Sequence, residues 1–365
     1  MHRGAPTKCG VIGARHKYES ESIPVTDPQL SLVFDTANPP LALTPKPKAP
    51  AKPRRSAPPK SAEVPMTLEA MAAVLESHPD YRVLRRLLPV QHFGRAPTGP
   101  VVRVLVLDTE TTGLDHASDK IIELAMLRVD VDSATGLPVG DVTVYDGLED
   151  PGMPISSEVQ AITGISNEMV AGQTLDEARI AALLADADLV IAHNAGFDRP
   201  FCEARIPAFA HLPWGCSFAD IDWKKEGSGS AKLEYLALEK GWFYEAHRAE
   251  VDCHALLAVL AAPLPVSAHT GLAHIIQASR TPTFRLLATG APFESKDLLK
   301  ARAYRWNAEQ KVWHTRLNDE VQLAAEFEWL KSTVYGGRQA RVQVEKLDAG
   351  VKYSSRAGEL SLRQV

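Results

Sequence analysis

Cysteine is scarce: the chain has four in 365 residues, at positions 9, 202, 216 and 253, with no CxxC pair. Such scattering argues against a disulfide framework or a zinc knuckle, and fits a reducing cytoplasm. No apolar run approaches the ~20 residues that a bilayer-spanning helix needs, so no membrane partner is expected. The N-terminus lacks the apolar stretch of a secretory signal. Residues 46–60, KPKAPAKPRRSAPPK, contain no acid at all against six basic residues and five prolines. A segment of that composition buries too little apolar area to offset chain entropy, so residues 1–65 are expected to be a disordered tail.

What is present is an uneven charge. The net charge of −5 divides into +5 over residues 1–65 (ten Lys/Arg, five Asp/Glu), −15 over 66–269 (fifteen against thirty) and +5 over 270–365 (fifteen against ten). An acidic middle therefore sits between two basic flanks.

The segment MTLEAMAAVLESHPDYRVLRRLLP, from Met66, places Leu and Val at helical spacing, so residues 66–100 are expected to hold a helix and a linker. Met66 is also an alternative translation start. From residue 101 strands and helices alternate. VVRVLVLD (101–108) is continuously apolar until its end, as a central strand should be. IIELAMLRVDVD (121–132) and DVTVYDGLE (141–149) flank a turn and predict a hairpin. Helices are expected near 157–162, 175–185, 195–206, 230–242 and 250–262, with strands at 187–194 and 215–221. A hairpin followed by parallel strands with crossovers implies a mixed five-stranded α/β sheet flanked by helices over 101–265. After the punctuation APLPVSAHTG, residues 270–350 are expected to form a small α+β domain: strand 283–289, helix 295–303, hairpin 304–317, helix 319–335 and strand 341–347.

The chemistry lies in three short segments. Asp108 and Glu110, two apart on extended chain, leave the same face of the strand. Paired carboxylates at a strand end make half of a hard-cation site, suited to Mg²⁺ or Mn²⁺ rather than zinc. In LVIAHNAGFDRPF (189–201) a strand runs into His193 and Asn194, and Asp198 follows in a first helical turn. In HRAEVDCHAL (247–256) His247 precedes a helix and Asp252 lies in its early turns. A histidine beside acids stays near enough to neutrality to accept a proton. Each segment alone has an ordinary structural explanation; Asp in a first turn, for example, suits the helix dipole.

Taken together and in this order, DTETTGL, HNAGFD and HRAEVD resemble the DEDDh family of 3′–5′ exonucleases, the epsilon-like proofreading group of DNA polymerase III. ITGIS (162–166) and KLEYLALEKGW (232–242) resemble further segments of that family, and the likeness extends over about residues 100–262. All five acid/base positions are filled, and His with four residues between it and the last Asp places the chain in the h subgroup.

The resemblance implies an RNase H-like fold and a metal-dependent exonuclease that hydrolyses DNA from its 3′ end to nucleoside 5′-monophosphates. It implies two Mg²⁺ or Mn²⁺ ions bridged by Asp108, with Glu110 and Asp252 on the ion that binds the attacking water and Asp198 supporting the second. It makes His247 the base. Thr109, Thr112 and Asn194 are implied substrate contacts, and Leu114 a wedge against the terminal base. Single-stranded or 3′-ended DNA is the expected partner, with a DNA polymerase as a candidate partner and RNA or short oligonucleotides as the alternative substrate. A non-catalytic nucleic-acid adaptor is the second alternative.

Two further segments carry expectations. QLSLVF, Gln29 to Phe34, resembles the peptide with which bacterial replication proteins bind the sliding clamp. In the C-terminal region, Trp306 and Trp313 either fill a small core or stack on bases beside Lys300, Arg302, Arg305 and Lys311.

Overall fold

A computed structural model describes residues 66–365. The expected tail and the clamp-like peptide lie outside the described residues.

The central strand is Val101–Thr111, and Val104 to Leu107 are wholly inaccessible to solvent. Such a run is stable as a strand only where both sheet faces are covered, and here they are. Alternate residues face opposite ways. Val104 and Val106 join Leu256, Leu260 and Leu272 in one core. Leu105 and Leu107 join Phe201, Phe209 and Trp214 in the other.

The five expected strands pair in the order 138–148, 121–132, 101–111, 189–192, 214–216. The first two contacts are antiparallel and the last two parallel. The 66–100 segment supplies a sixth, His92–Phe93, which pairs with Asp141 and Gly140 at the edge. At the centre, Leu107 and Ala192 are the last pair between the parallel strands, so Asp108 and His193 follow directly where that pairing ends. Clefts form at such strand ends, where the connections leave toward opposite faces.

Several expectations are corrected. The helix after Met66 spans only Leu68–Glu76 and stops at Ser77, because Pro79 follows. The expected strand 215–221 breaks after Cys216 into a helical turn, Ser217–Asp220. There the Ser217 hydroxyl lies 2.7 Å from His193 Nδ1, and its carbonyl accepts from the Trp223 indole at 2.7 Å.

Helix Gly271–Ser279 packs on the first core rather than beyond it, with Leu272 and Ile275 inaccessible. Gly215 makes that approach possible, since a Cβ there would lie 2.3 Å from Ile275 Cγ2.

The remaining residues build a second, wholly antiparallel sheet in the order 305–307, 312–317, 283–288, 341–347, 359–364. Helices Lys296–Ala301 and Glu320–Trp329 lie near one face, whose core holds Phe284, Leu286, Leu299, Leu323 and Val344. The strand Glu359–Gln364 continues this sheet past residue 350, where the sequence reading ended it. Trp313 packs partly into the core, while Trp306 is 49% exposed with its ring 5.4 Å from that of Trp313.

Candidate active site

The two-residue period of the central strand organises the site. Asp108 and Glu110 continue the row of Val104 and Val106, the face covered by helix Ala249–Ala261. That helix carries Asp252. Asp108, Glu110 and Asp252 each place a carboxylate oxygen within 4.8 Å of the others. Thr109 belongs to the opposite row and reaches helix Ala195–Arg205, where its hydroxyl donates to Asp198 Oδ1 at 2.9 Å. Asp198 thus arrives at the strand end from the other sheet face.

Burial and mutual repulsion act on these carboxyls. Desolvation, then the charges of Asp198, Asp252, Glu110 and Glu123, push Asp108 well above the usual carboxylate range. Glu110 is pushed up to about 8, by desolvation first and by Asp252 and Glu123 next. Asp198 rises to about 7 through desolvation, against the pull of the Thr109 hydroxyl bond. Asp252 is raised by desolvation although it accepts from His247 N (2.7 Å), Arg248 N (3.2 Å) and the Tyr244 hydroxyl (3.2 Å). An all-oxygen cluster whose anionic form is this disfavoured fits a hard divalent cation, which would replace the missing hydration.

His247 is exposed, on a backbone with φ of 68°. Its amide serves Asp252, and among the described residues its imidazole makes no hydrogen bond. Asn194 is exposed at φ 65° and caps its helix without a side-chain bond, which leaves its amide free for other partners. Leu114 is 87% exposed. The Thr112 hydroxyl is engaged within its own turn, donating to Asp119 Oδ1 and accepting from Lys120 N. Thr109 is 5% exposed and engaged with Asp198, so the structure gives its hydroxyl a partner within the chain. Among the C-terminal cations, Arg302 is committed to Glu326 at 3.0 Å and to the Trp329 ring.

Three participants, Glu123, Arg248 and Tyr244, were missed by the sequence reading. Glu123, wholly buried, accepts from Arg248 Nη2 at 2.6 Å and from Ala249 N at 2.9 Å, pinning the start of the Asp252 helix to the sheet. Tyr244 orients Asp252. The only signal for Glu123 was an acid inside an otherwise apolar strand, IIELAML.

Residues 105–260 match the family model described as exonuclease. This segment is similar to exonuclease domains, including those of DNA polymerase III proteins. The epsilon subunit of DNA polymerase III from Treponema pallidum is 25% identical over 209 residues, which covers 54% of this chain and 92% of that protein. The PolC-type DNA polymerase III of Thermotoga maritima is 31% identical over 140 residues, 38% of this chain and 9% of that polymerase. The chain thus spans less than a tenth of the PolC-type relatives it matches. Exonuclease X in complex with 5′ overhanging duplex DNA aligns with a TM-score of 0.34 at 23% identity, over 47% of this chain and 99% of that one. Among the described residues, no helix is long and apolar enough to cross a membrane.

Proposed function

We propose that the exonuclease domain hydrolyses DNA one nucleotide at a time from the 3′ end, in the cytoplasm, using two Mg²⁺ or Mn²⁺ ions. The observation that carries this reading is the meeting of Asp108, Glu110 and Asp252 within 4.8 Å, with Asp198 delivered from the opposite face by Thr109. Asp108, Glu110 and Asp252 would hold one ion, and Asp198 with Asp108 the other. When bound, such ions neutralise the phosphodiester and acidify water.

The chain's own groups do the rest. His247, exposed beside Asp252, takes the proton of the attacking water. Asp252 holds the His247 backbone through its amide, so the base keeps its place beside the site. Asn194 and the Thr112 segment contact the terminal nucleotide, and Leu114 packs against its base. The products are nucleoside 5′-monophosphates. The His at position 247 supports the DEDDh subgroup. The basic C-terminal region, with Trp306 exposed, supplies nucleic-acid attraction that the acidic domain lacks. A polymerase, and a sliding clamp through Gln29 to Phe34, are the candidate protein partners.

The test is a parallel digestion of 3′-labelled single-stranded DNA, mismatched duplex and RNA, with and without Mg²⁺. The reading expects release of the 3′ label as a mononucleotide from DNA, abolished by EDTA and by Asp108→Ala. Faster release from RNA would favour the exoribonuclease alternative. Unchanged hydrolysis by pure Asp108→Ala protein would overturn the catalytic assignment.

A further inference from the structure

The residue after Asp198 is Arg199, and its side chain is wholly buried. A guanidinium carries five N–H donors, and burying it is tolerable only if they are satisfied. Each of the five has an acceptor here. Nε donates to Glu203 Oε1 at 2.6 Å. Nη1 donates to the carbonyls of Ala349 (3.0 Å) and Lys352 (2.6 Å), and Nη2 to those of Gly350 (2.5 Å) and Leu212 (3.4 Å). Three of the four carbonyls belong to the connection between the last two strands of the C-terminal sheet.

That connection is tied to the exonuclease domain at further points. The Ala349 carbonyl accepts from Trp214 N at 2.9 Å, on the edge strand of the nuclease sheet. Lys352, 1% exposed, donates through Nζ to the carbonyls of Ala278 (3.1 Å) and Thr281 (2.7 Å). The Tyr353 hydroxyl donates to Asp220. Glu203 accepts from Ser354 Oγ at 2.6 Å and from Arg356 Nη2 at 3.1 Å.

The helix that receives this support is poorly held by its own backbone. Pro200 stands inside it and cannot donate back to the preceding turn. Its N-cap, Asn194, makes no side-chain cap bond. In that first turn, Asp198 has one side-chain anchor on the sheet, the Thr109 hydroxyl.

We propose that the segment 348–356 is a strap that positions Asp198, with Arg199 as the positioning residue through which it acts. The C-terminal region is thereby part of the nuclease site rather than an appendage to it. The strap governs the Asp198 side of the metal centre and leaves Glu110 and Asp252 untouched, because the Asp252 helix covers the opposite sheet face; Asp108, shared by both ions, stays fixed by the central strand. This inference rests on the proposed two-ion reading.

The test is Mn²⁺ binding to the full chain by calorimetry and electron paramagnetic resonance, in the absence of nucleic acid. Three proteins are compared: the wild type, Arg199→Lys, which keeps a charge but offers three donors, and Arg356→Ala, which loosens the strap from its exposed side. Support takes the form of one Mn²⁺ site weakened by about 10- to 100-fold in Arg199→Lys, and by less in Arg356→Ala, with the other site unchanged. In turnover, kcat should fall while KM for a 3′-ended oligonucleotide holds. Two unchanged sites in both variants, or two sites weakened together, would overturn the strap. A wild type that binds fewer than two Mn²⁺ would instead overturn the two-ion reading.

Discussion

Glu110 and Glu123 stand directly opposite one another on neighbouring antiparallel strands, yet only Glu123 has a cation. Arg248 lies 2.6 Å from Glu123, whereas Glu110 faces Asp252 and Asp108 with no positive side chain bonded to it among the described residues. Like charges across a ladder are destabilising unless something lies between them. The asymmetry divides the acids into a structural anchor and a set that awaits an ion.

The metal-free protein should therefore lose stability as pH rises. Glu110 moves from an ordinary value of 4.5 to about 8 and Asp198 from 3.8 to about 7, so the folded chain binds more protons than the unfolded chain between these limits. For these groups stability is full below about pH 4 and is lost as pH climbs through 7 and 8. Thermal melts in EDTA at about pH 5.5 and about pH 8.5 should show the lower Tm at the higher pH, and Mn²⁺ should raise it most there. A Tm that rises between these pH values in EDTA would contradict the account.

Removing one of the repelling acids should stabilise the empty site and disable it. Asp108→Asn is expected to raise the metal-free Tm at about pH 8 while lowering nuclease activity by at least about a hundredfold. Differential scanning calorimetry and a gel-based digestion on the same preparation check both halves. A lower Tm together with retained activity would refute the assignment of Asp108.

Arg248 should matter for folding before it matters for chemistry. Arg248→Met leaves a wholly buried Glu123 without its partner and should cost about 3–5 kcal/mol in urea unfolding. The double change Glu123→Leu with Arg248→Met should recover most of that loss, because it removes both charges. A single variant as stable as the wild type would show the pair to be dispensable.

The base should separate from the ligands. His247→Asn is expected to lower kcat by about 10²- to 10⁴-fold, with Mn²⁺ binding unchanged by calorimetry. Loss of ion binding in this variant would place His247 among the ligands instead.

How much of this was legible in the chain follows from the range of the forces involved. Asp108 and Glu110 declared themselves because a two-residue period on a strand fixes which side chains share a face. Asp198 and Asp252 were legible as first-turn acids of helices that do form. The stop of the first helix at Ser77 was readable from Pro79, but the apolar spacing beyond it masked the signal. Arg199 was not legible: a cation on a helix reads as solvated, and its four carbonyl acceptors lie 13 to 153 residues away along the chain. The strand Glu359–Gln364 is mostly exposed, so no apolar pattern announced it.

The central claim is that four acids gathered from three separated segments hold divalent ions. A crystal grown with Mn²⁺ and measured at the manganese absorption edge tests it most directly. The account predicts anomalous peaks bonded to Asp108, Glu110 and Asp252, with a second ion on the Asp198 side. A well-ordered site with those carboxyls in place and no anomalous peak among them would contradict it.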